Sequence, residues 1–211
     1  MGTTQRIISN LIFKPFLNVF FRFKVTGREN IKKLSAPLLI IGNHNFFIDS
    51  FALGASLPFG TKLFPINIMG EIDHFFNPTL EFFKKIGVIK IIYSLCNVFP
   101  AIRGKELKIA LEKPVEIIKN KGTVFLHPEG RIVKGEEIGQ FKRGASYLAI
   151  KTGVKVLPVV FKIEKKTSKI NLRRNYCVKI GQPFTLPKET SVESGAEIMK
   201  EIITNLYQSI S

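Results

Sequence analysis

The hydrophobic pattern of the chain changes near Gly27, from one long apolar segment to short apolar runs separated by helical patterns. Within the first segment, about residues 6–24, one narrow polar stripe recurs every four positions on a helical projection, formed by Asn10, Lys14, Asn18 and Arg22. Almost every other position there is apolar, so we expect a helix that is buried widely, in a protein core or in lipid. Pro15 should kink this helix or split it in two.

The stripe of the first segment is partly basic, and its apolar side is rich in phenylalanine. Helices that lie at a membrane surface have this composition. We therefore predict an amphipathic, membrane-associating helical segment over residues 1–24 and a single domain over residues 25–211, with a plain core helix as the alternative. No uninterrupted apolar run reaches the roughly 18 residues of a conventional membrane span, and the start lacks the features of a cleaved signal peptide.

After Gly27, short apolar runs alternate with helical patterns. The predicted strands are residues 38–41, about 63–68, 98–102, 123–126 and 156–161. The predicted helices are residues 50–57, 80–86, 105–119, 144–152 and 192–210, although Pro114 weakens the second half of the third. A basic stretch, residues 162–174, interrupts the alternation around an expected hairpin turn. The pattern predicts an α/β fold with a mostly parallel, mixed sheet flanked by helices.

The formal net charge is +16, and residues before and after Lys105 share the basic excess, so it is not a terminal tail. A surface this basic attracts anionic lipid headgroups, nucleic acid or an acidic protein. The chain has no finger, RNA-reading motif or confined basic arm, so we expect no nucleic-acid partner. Cys96 and Cys177 stand in apolar surroundings and predict buried, reduced thiols in a cytosolic protein.

His44 follows the predicted strand 38–41, and Asp49 stands five positions later. On one helix, residues i and i+5 lie roughly 140° apart, so these two side chains meet only if the chain turns between them. We expect a strand, a turn that carries His44 and a helix that starts at Asp49. Asp49 could then hold one ring nitrogen of His44 and leave the other as a base. Alternatively, Asp49 only caps the helix and His44 sits in a polar loop.

The stretch His127-Pro128-Glu129-Gly130-Arg131 follows the predicted strand 123–126. It therefore lies at the carboxyl end of a strand, where open α/β sheets bind ligands. A glycine there permits close backbone approach, and an arginine can bind a phosphate through two hydrogen bonds. A surface turn with an incidental ion pair explains the same residues. A further arginine and glycine, Arg103 and Gly104, follow the predicted strand 98–102.

Taken together, these stretches resemble the sequence blocks of the glycerophospholipid acyltransferase family, which includes the lysophosphatidic-acid acyltransferases. The family pattern is H-x4-D, an arginine block, an E-G block and an apolar block with a proline, in this order. The corresponding stretches are residues 43–49, 99–104, 128–131 and 156–160. Between the last two, residues 141–149 look like the family's F-K-x-G-A-x-x-L-A helix start. The resemblance covers about residues 23–184.

Two departures from the family pattern concern the third block. The commoner form is F-P-E-G-T-R, whereas Arg131 here directly follows Gly130. His127 stands where an aromatic residue is usual; it could be a second base, but a mere neighbour of the site is the expected role. The chain contains no Gly-x-Ser-x-Gly elbow, which disfavours a serine hydrolase.

The resemblance implies transfer of a fatty acyl group from a thioester, acyl-CoA or an acyl-carrier protein, to a lysophospholipid hydroxyl. The expected acceptor is 1-acylglycerol-3-phosphate, and the product is phosphatidate. His44 and Asp49 are the expected catalytic residues. The expected substrate-binding residues are Arg103, Gly104, Glu129, Gly130 and Arg131, with the arginines on the acceptor phosphate and Glu129 on the glycerol. Backbone amides near residues 102–104 or at position 130 would stabilise the oxyanion.

The resemblance implies neither a resident cofactor nor a metal. His74 has acidic neighbours, but no second histidine stands at ligand spacing. The expected partners are an anionic membrane surface, the acyl donor and the lysophospholipid, and the expected location is the cytoplasmic face of the membrane, as a peripheral or monotopic protein. Another lipid acceptor, or a non-catalytic basic protein that binds membrane or nucleic acid, is the alternative.

Overall fold

The computed structural model describes residues 2–71, 78–135, 137–164 and 173–210. These residues form one seven-stranded sheet. Its strands are β1 Phe21–Thr26, β2 Leu38–Gly42, β3 Ile66–Gly70, β4 Val98–Pro100, β5 Thr123–Leu126, β6 Val156–Ile163 and β7 Arg174–Ile180. They lie in the order β1-β7-β6-β2-β5-β3-β4, and every neighbouring pair is parallel except β6 and β7. The predicted α/β fold with a mostly parallel, mixed sheet is confirmed.

Helices cover both faces of this sheet. They are α1 Gly2–Ile8, α2 Lys14–Phe20, α3 Asp49–Ser56, α4 Pro78–Lys85, α5 Val88–Leu95, α6 Leu107–Ala110, α7 Glu112–Lys119, α8 Gly144–Thr152 and α9 Val192–Gln208. The predicted helix 105–119 is interrupted at Leu111. Pro114 is the third residue of α7, where its missing N–H costs no helical hydrogen bond. No helix within the described ranges is both long and apolar enough to cross a membrane.

Strand β2 lies at the centre of the sheet, and all of its residues are buried. Leu38 and Ile40 face one core, which also contains residues of α2 and α3. Leu39 and Ile41 face the other core, formed with α7, α8 and α9. Successive side chains of a strand point to opposite faces, so a strand covered on both sides becomes a continuous apolar run.

The N-terminal helix ends at Phe20, earlier than the hydrophobic pattern predicts. Residues 21–24 instead begin β1, in which Phe21 and Phe23 pack on the core while Arg22 is exposed. Arg22 fits both a four-residue helical stripe and a two-residue strand alternation, which explains the wrong boundary. The helix is interrupted, as expected, but by a π-helical turn, Ser9–Phe13, that joins α1 to α2 ahead of Pro15, which is the second residue of α2.

Other predicted elements differ mainly at their ends. Strand β3 begins three residues later than predicted, β4 is shorter, and α5 was not predicted. Strands β6 and β7 are antiparallel neighbours, as a hairpin requires, while residues 165–172 between them lie outside the described residues. Both cysteines are buried free thiols, as the sequence predicts.

Candidate active site

The carboxyl ends of β2 and β5 place two histidines side by side. The strands are parallel neighbours with Ile41 opposite Leu126, so the residues that follow them leave the same edge of the sheet. Gly42 ends β2, and a Cβ at this position would lie 2.7 Å from the ring of Phe161. A residue with a Cβ would therefore clash with this ring unless the ring moved. His44 follows two residues after Gly42.

The buried side chain of Asn43 fixes where β2 ends. Its amide donates a hydrogen bond to the Phe161 carbonyl at 2.9 Å, and its carbonyl accepts one from the Phe161 N–H at 2.8 Å. This side chain thereby continues the β2–β6 pairing beyond the last backbone pair. The start of the turn that carries His44 is therefore anchored in the sheet.

The turn brings His44 onto Asp49, the first residue of α3, as the sequence predicts for the local structure. His44 Nδ1 lies 3.2 Å from Asp49 Oδ2, which also accepts hydrogen bonds from the N–H groups of Asn45 and Phe46, both at 2.8 Å. A carboxylate oxygen only accepts, so Nδ1 carries the proton and Nε2 is the basic atom of the ring. One carboxylate oxygen of Asp49 therefore both stabilises the backbone of the turn and orients the imidazole of His44.

Tyr176 on β7 donates a hydrogen bond from its hydroxyl to the other oxygen of Asp49, Oδ1, at 2.5 Å. Burial, followed by the neighbouring Asp49 charge, raises the pKa of Tyr176 well above its usual value, so the hydroxyl stays a donor. Sequence reasoning missed this residue. A buried tyrosine needs a polar partner, but nothing in the sequence identifies Asp49 as that partner.

The Glu129 carboxylate is buried and binds backbone on both sides. Its Oε2 accepts the N–H of His44 at 2.6 Å, and its Oε1 accepts the N–H of Gly139 at 2.7 Å. Burial raises the pKa of Glu129, although these two N–H groups act to lower it. The carbonyl of His44 in turn accepts the N–H of Val133 at 2.7 Å. The E-G block therefore holds the backbone of the turn that carries His44, while a contact of Glu129 with the glycerol stays a prediction.

His127 lies against His44, with ring centroids 3.9 Å apart and planes inclined by 13°. Its Nδ1 is 3.0 Å from the Gly42 carbonyl and 2.9 Å from the Asn43 carbonyl, and its Nε2 is 3.2 Å from the Ser50 hydroxyl. Burial, followed by the nearby His44, lowers the pKa of His127 well below its usual value. The ring is therefore neutral.

Basic side chains gather around Gly130. Arg103 donates a hydrogen bond from Nη2 to the Gly130 carbonyl at 3.2 Å, and its Nε pairs with Glu71 at 3.2 Å. Gly130 has a φ of +64°, and a Cβ there would lie 2.9 Å from Lys142 Nζ. Lys142, which the sequence places in the F-K-x-G-A stretch without a site role, therefore lies across this glycine. Two other predicted substrate-binding residues, Gly104 and Arg131, are both exposed. Arg131 directly follows Gly130 in the chain.

A cavity of about 530 Å³ opens beside His127 and Gly130. Its basic lining residues are Arg103, Lys105, Lys142 and Arg143, and its apolar lining includes Met69, Leu111 and Phe141. Ligand sites commonly have this size and combine apolar walls with a few polar groups. The lining suits a ligand that has both an anionic and an apolar part.

The N–H of Gly130, one candidate for the oxyanion, is donated to the His127 carbonyl at 3.0 Å within the turn. This leaves residues 102–104 as the other predicted source of oxyanion donors. His74, which the sequence places among acidic neighbours, lies outside the described residues.

Comparison with known proteins gives a consistent result. A family model described as Acyltransferase matches residues 22–162. The chain is 30% identical over 142 residues to a chloroplastic 1-acyl-sn-glycerol-3-phosphate acyltransferase of Brassica napus, a match that covers 66% of this chain and 37% of that protein. It is 27% identical over 145 residues to the 1-acyl-sn-glycerol-3-phosphate acyltransferase of Pseudomonas aeruginosa, covering 65% and 48%.

Among solved structures, the 1-acyl-sn-glycerophosphate acyltransferase PlsC of Thermotoga maritima has the same fold. Its crystal structure aligns with a TM-score of 0.67 at 20% sequence identity, over 98% of this chain and 78% of that chain. The matches to the Brassica napus protein and to a chloroplastic 1-acyl-sn-glycerol-3-phosphate acyltransferase of Arabidopsis thaliana span little more than a third of the length of those proteins, 37% and 36%.

Proposed function

Because the chain belongs to the acyltransferase family, we propose that it moves a fatty acyl group from a thioester to the free hydroxyl of 1-acylglycerol-3-phosphate, giving phosphatidate. The donor is acyl-CoA or an acyl-carrier protein. One observation carries the proposal: the His44 ring, with Nδ1 3.2 Å from the buried Asp49 carboxylate, presents Nε2 as a base. The names of the curated relatives support this acceptor.

In the proposed reaction, His44 Nε2 takes the proton of the acceptor hydroxyl as its oxygen attacks the thioester carbonyl. The new C–O bond forms, and the C–S bond breaks when the tetrahedral intermediate collapses. The imidazolium then gives its proton to the thiolate, which leaves as a thiol. Asp49 stabilises the imidazolium through Nδ1, as the acid does in a serine-protease triad. No protein nucleophile is needed, since the substrate supplies its own hydroxyl.

The basic side chains around Gly130 are the proposed site of the acceptor phosphate. Arg103 reaches the Gly130 carbonyl, and Lys142 lies across the same glycine. Arg131 adds a third cation next to it in the chain. Charge-assisted hydrogen bonds from such side chains are the usual way to hold a phosphate. The apolar part of the adjoining cavity would then take hydrocarbon.

Contact with a membrane surface is part of the proposal, and the N-terminal helices supply its support. Their inward face includes the buried residues Gln5, Ser9 and Leu17, whereas the opposite face is apolar and exposed. Exposed fractions there are 67% at Leu11 and 64% at Val19. Soluble surfaces seldom leave such an apolar stripe in water, and burial in the headgroup region of a bilayer would cover it.

Aromatic side chains connect this stripe with the catalytic turn. Phe20, which ends α2, is 57% exposed, and the adjacent Phe21 lies 6.4 Å from the ring of Phe46. Phe46 in turn contacts Phe47, which is 52% exposed and stands three residues after His44. A surface seated on lipid at these residues would place the catalytic turn at the leaflet that holds the lysolipid.

The test is an assay of the purified protein with a labelled acyl thioester and 1-acylglycerol-3-phosphate in mixed micelles. We expect labelled phosphatidate from the parent and a loss of about 1,000-fold or more in His44→Ala, since the base acts directly on the reacting proton. Near-full activity in His44→Ala would refute the mechanism.

The choice of substrates needs separate arms of the same assay. Acyl-CoA and acyl-carrier protein are compared as donors with the acceptor held constant. A panel of lysophospholipids, glycolipids and amino-acid lipids is compared with the donor held constant. Turnover of another acceptor alone would correct the substrate and keep the chemistry, whereas vesicle binding without any turnover would identify a non-catalytic membrane-binding protein.

A further inference from the structure

The ring of His127 is held more firmly than the ring of His44 that it covers. Phe125 meets it edge-on at 4.7 Å, and Phe161 lies 6.2 Å away. Asp49 fixes His44 at one edge, through Nδ1. A ring attached at one edge can still tilt about that bond, and such a tilt would displace Nε2. The stack on His127 covers one face of His44 and so restricts this tilt.

Hydrogen bonds at both nitrogens fix His127 in one tautomer. Carbonyl oxygens only accept, so Nδ1, which faces the carbonyls of Gly42 and Asn43, carries the proton. Nε2 then accepts the hydrogen bond of the Ser50 hydroxyl. With both ring nitrogens engaged, His127 is not arranged as a second base. Its N–H also binds the two residues that directly precede His44.

The charge state of His127 matters because His44 becomes a cation during the proposed transfer. The titratable groups around this ring are His44 itself, and Glu129 and Asp49, which bind the backbone and the ring of His44. Burial keeps His127 neutral. A neutral aromatic face accommodates an adjacent cation, whereas a second imidazolium at this distance would repel it.

We propose that His127 is a positioning residue for the base: an uncharged aromatic plate that fixes the orientation of the His44 ring while His44 takes up the proton. The consequence for rate rests on the proposed function, whereas the stack itself does not depend on turnover. The role also explains why a histidine can stand where the family usually has another aromatic residue.

Three substitutions separate the plate from the hydrogen bonds. His127→Phe keeps an aromatic face and loses the N–H, His127→Asn keeps an N–H donor and loses the ring, and His127→Ala loses both. We expect kcat to fall about tenfold or more in the Asn and Ala variants, since small misplacements of a reacting group are costly. The Phe variant should recover most of that loss. The KM for the acceptor should change much less than kcat, because His127 acts through the ring of His44 rather than on the acceptor phosphate.

A second readout does not require turnover. The chain has 3 histidines, so the ring C–H signals are few enough to assign by NMR with the His44 and His127 variants. The His44 signal should carry a ring-current shift that persists in His127→Phe and disappears in His127→Asn and His127→Ala. A parent that shows the shift but transfers no acyl group would refute the proposed function and confirm only that His127 stacks on His44.

Several results would overturn the positioning role. These are a His127→Asn variant as active as the parent, a His127→Phe variant as impaired as His127→Ala, or a His127 signal that titrates between about pH 5.5 and 8. Thermal unfolding of each variant checks that it is folded. If His127→Ala does not fold, the comparison of the Phe and Asn variants carries the test.

Discussion

The Glu129 carboxylate joins two loops through their backbone, since one oxygen accepts the N–H of His44 and the other accepts the N–H of Gly139. Glutamine has one acceptor oxygen and one donor nitrogen, so Glu129→Gln would leave one N–H facing another donor. A buried donor without a partner costs roughly 1–3 kcal/mol of unfolding free energy. We expect this loss in urea unfolding, together with a kcat about tenfold lower because the backbone of His44 shifts.

The control for this change is Glu197→Gln, at an exposed residue of α9 that accepts a hydrogen bond from Gln140. A glutamine there keeps an acceptor in water and should behave like the parent. A glycerol contact of Glu129 predicts a different outcome for Glu129→Gln, namely a raised KM for the acceptor with unchanged stability. Measuring stability and both kinetic constants therefore distinguishes the two roles.

Lys142 is the residue whose removal should act on acceptor binding, because its Nζ lies across Gly130 at the proposed phosphate site. A hydrogen bond to a charged group contributes roughly 1.5–3 kcal/mol, so Lys142→Ala should raise the KM for 1-acylglycerol-3-phosphate about tenfold or more. The kcat should change little. The matched control is Lys151→Ala, at an exposed lysine in the last turn of α8, the helix that begins two residues after Lys142. Equal effects of the two variants would show that general surface charge, rather than a phosphate contact, is involved.

At the scale of elements, the predictable parts are those whose local pattern and tertiary environment agree. Strands β2 and β5 are buried on both faces and appear as continuous apolar runs, and helix α8 matches its predicted bounds. The sequence pattern predicts a helix where β1 begins, because these few residues satisfy two periodicities, and only pairing with β7 selects the strand. The inward-facing Gln5 was equally unpredictable, since its amide bonds to the backbone of Ile66 and Cys96, which are distant in sequence.

The apolar stripe on α1, the π-helical turn and α2 can be tested as an element. The test is the double variant Leu11→Glu and Phe16→Glu. Both side chains are exposed in the parent, at 67% and 46%, so the substitutions leave the packing of the core intact. Burial of one such side chain contributes roughly 1.5–3 kcal/mol, so flotation with anionic vesicles should show binding weakened about tenfold or more. Ile198→Glu on α9, 38% exposed, is the control that should bind normally. Unchanged vesicle binding by the double variant would refute membrane contact through this stripe.

At the scale of the whole molecule, the candidate site is assembled by topology rather than by sequence neighbours. Adjacency of β2 and β5 brings His127 onto His44, and the antiparallel β7 carries Tyr176 to Asp49. The spacing of His44 and Asp49 predicts the turn that brings their side chains together, and the family resemblance makes them the candidate catalytic residues. The sequence places His127 next to the site but does not indicate that its ring stacks on His44, and it gives no sign of Tyr176, since both contacts depend on which strands are neighbours.

Folding around a neutral His127 also makes global stability depend on pH. Burial holds the folded-state pKa of this ring well below the ordinary histidine value of about 6.5, so below that pH the unfolded chain takes up a proton that the folded chain does not. Stability from this group is therefore present above about pH 6.5 and is lost as the pH falls. Glu129 acts in the opposite sense, because its raised pKa lets the folded state bind a proton first as the pH falls towards 4.5.

A comparison of the parent with His127→Phe isolates the histidine contribution, since Glu129 is present in both. We expect the parent to lose more unfolding free energy than the variant between pH 7.5 and 5.5, by up to about 1.4 kcal/mol for the one pH unit below 6.5. Urea unfolding at the two pH values measures the difference. Parallel losses in the two proteins would mean that His127 gains its proton in the folded state. The plate beneath His44 would then be a cation, contrary to its proposed role.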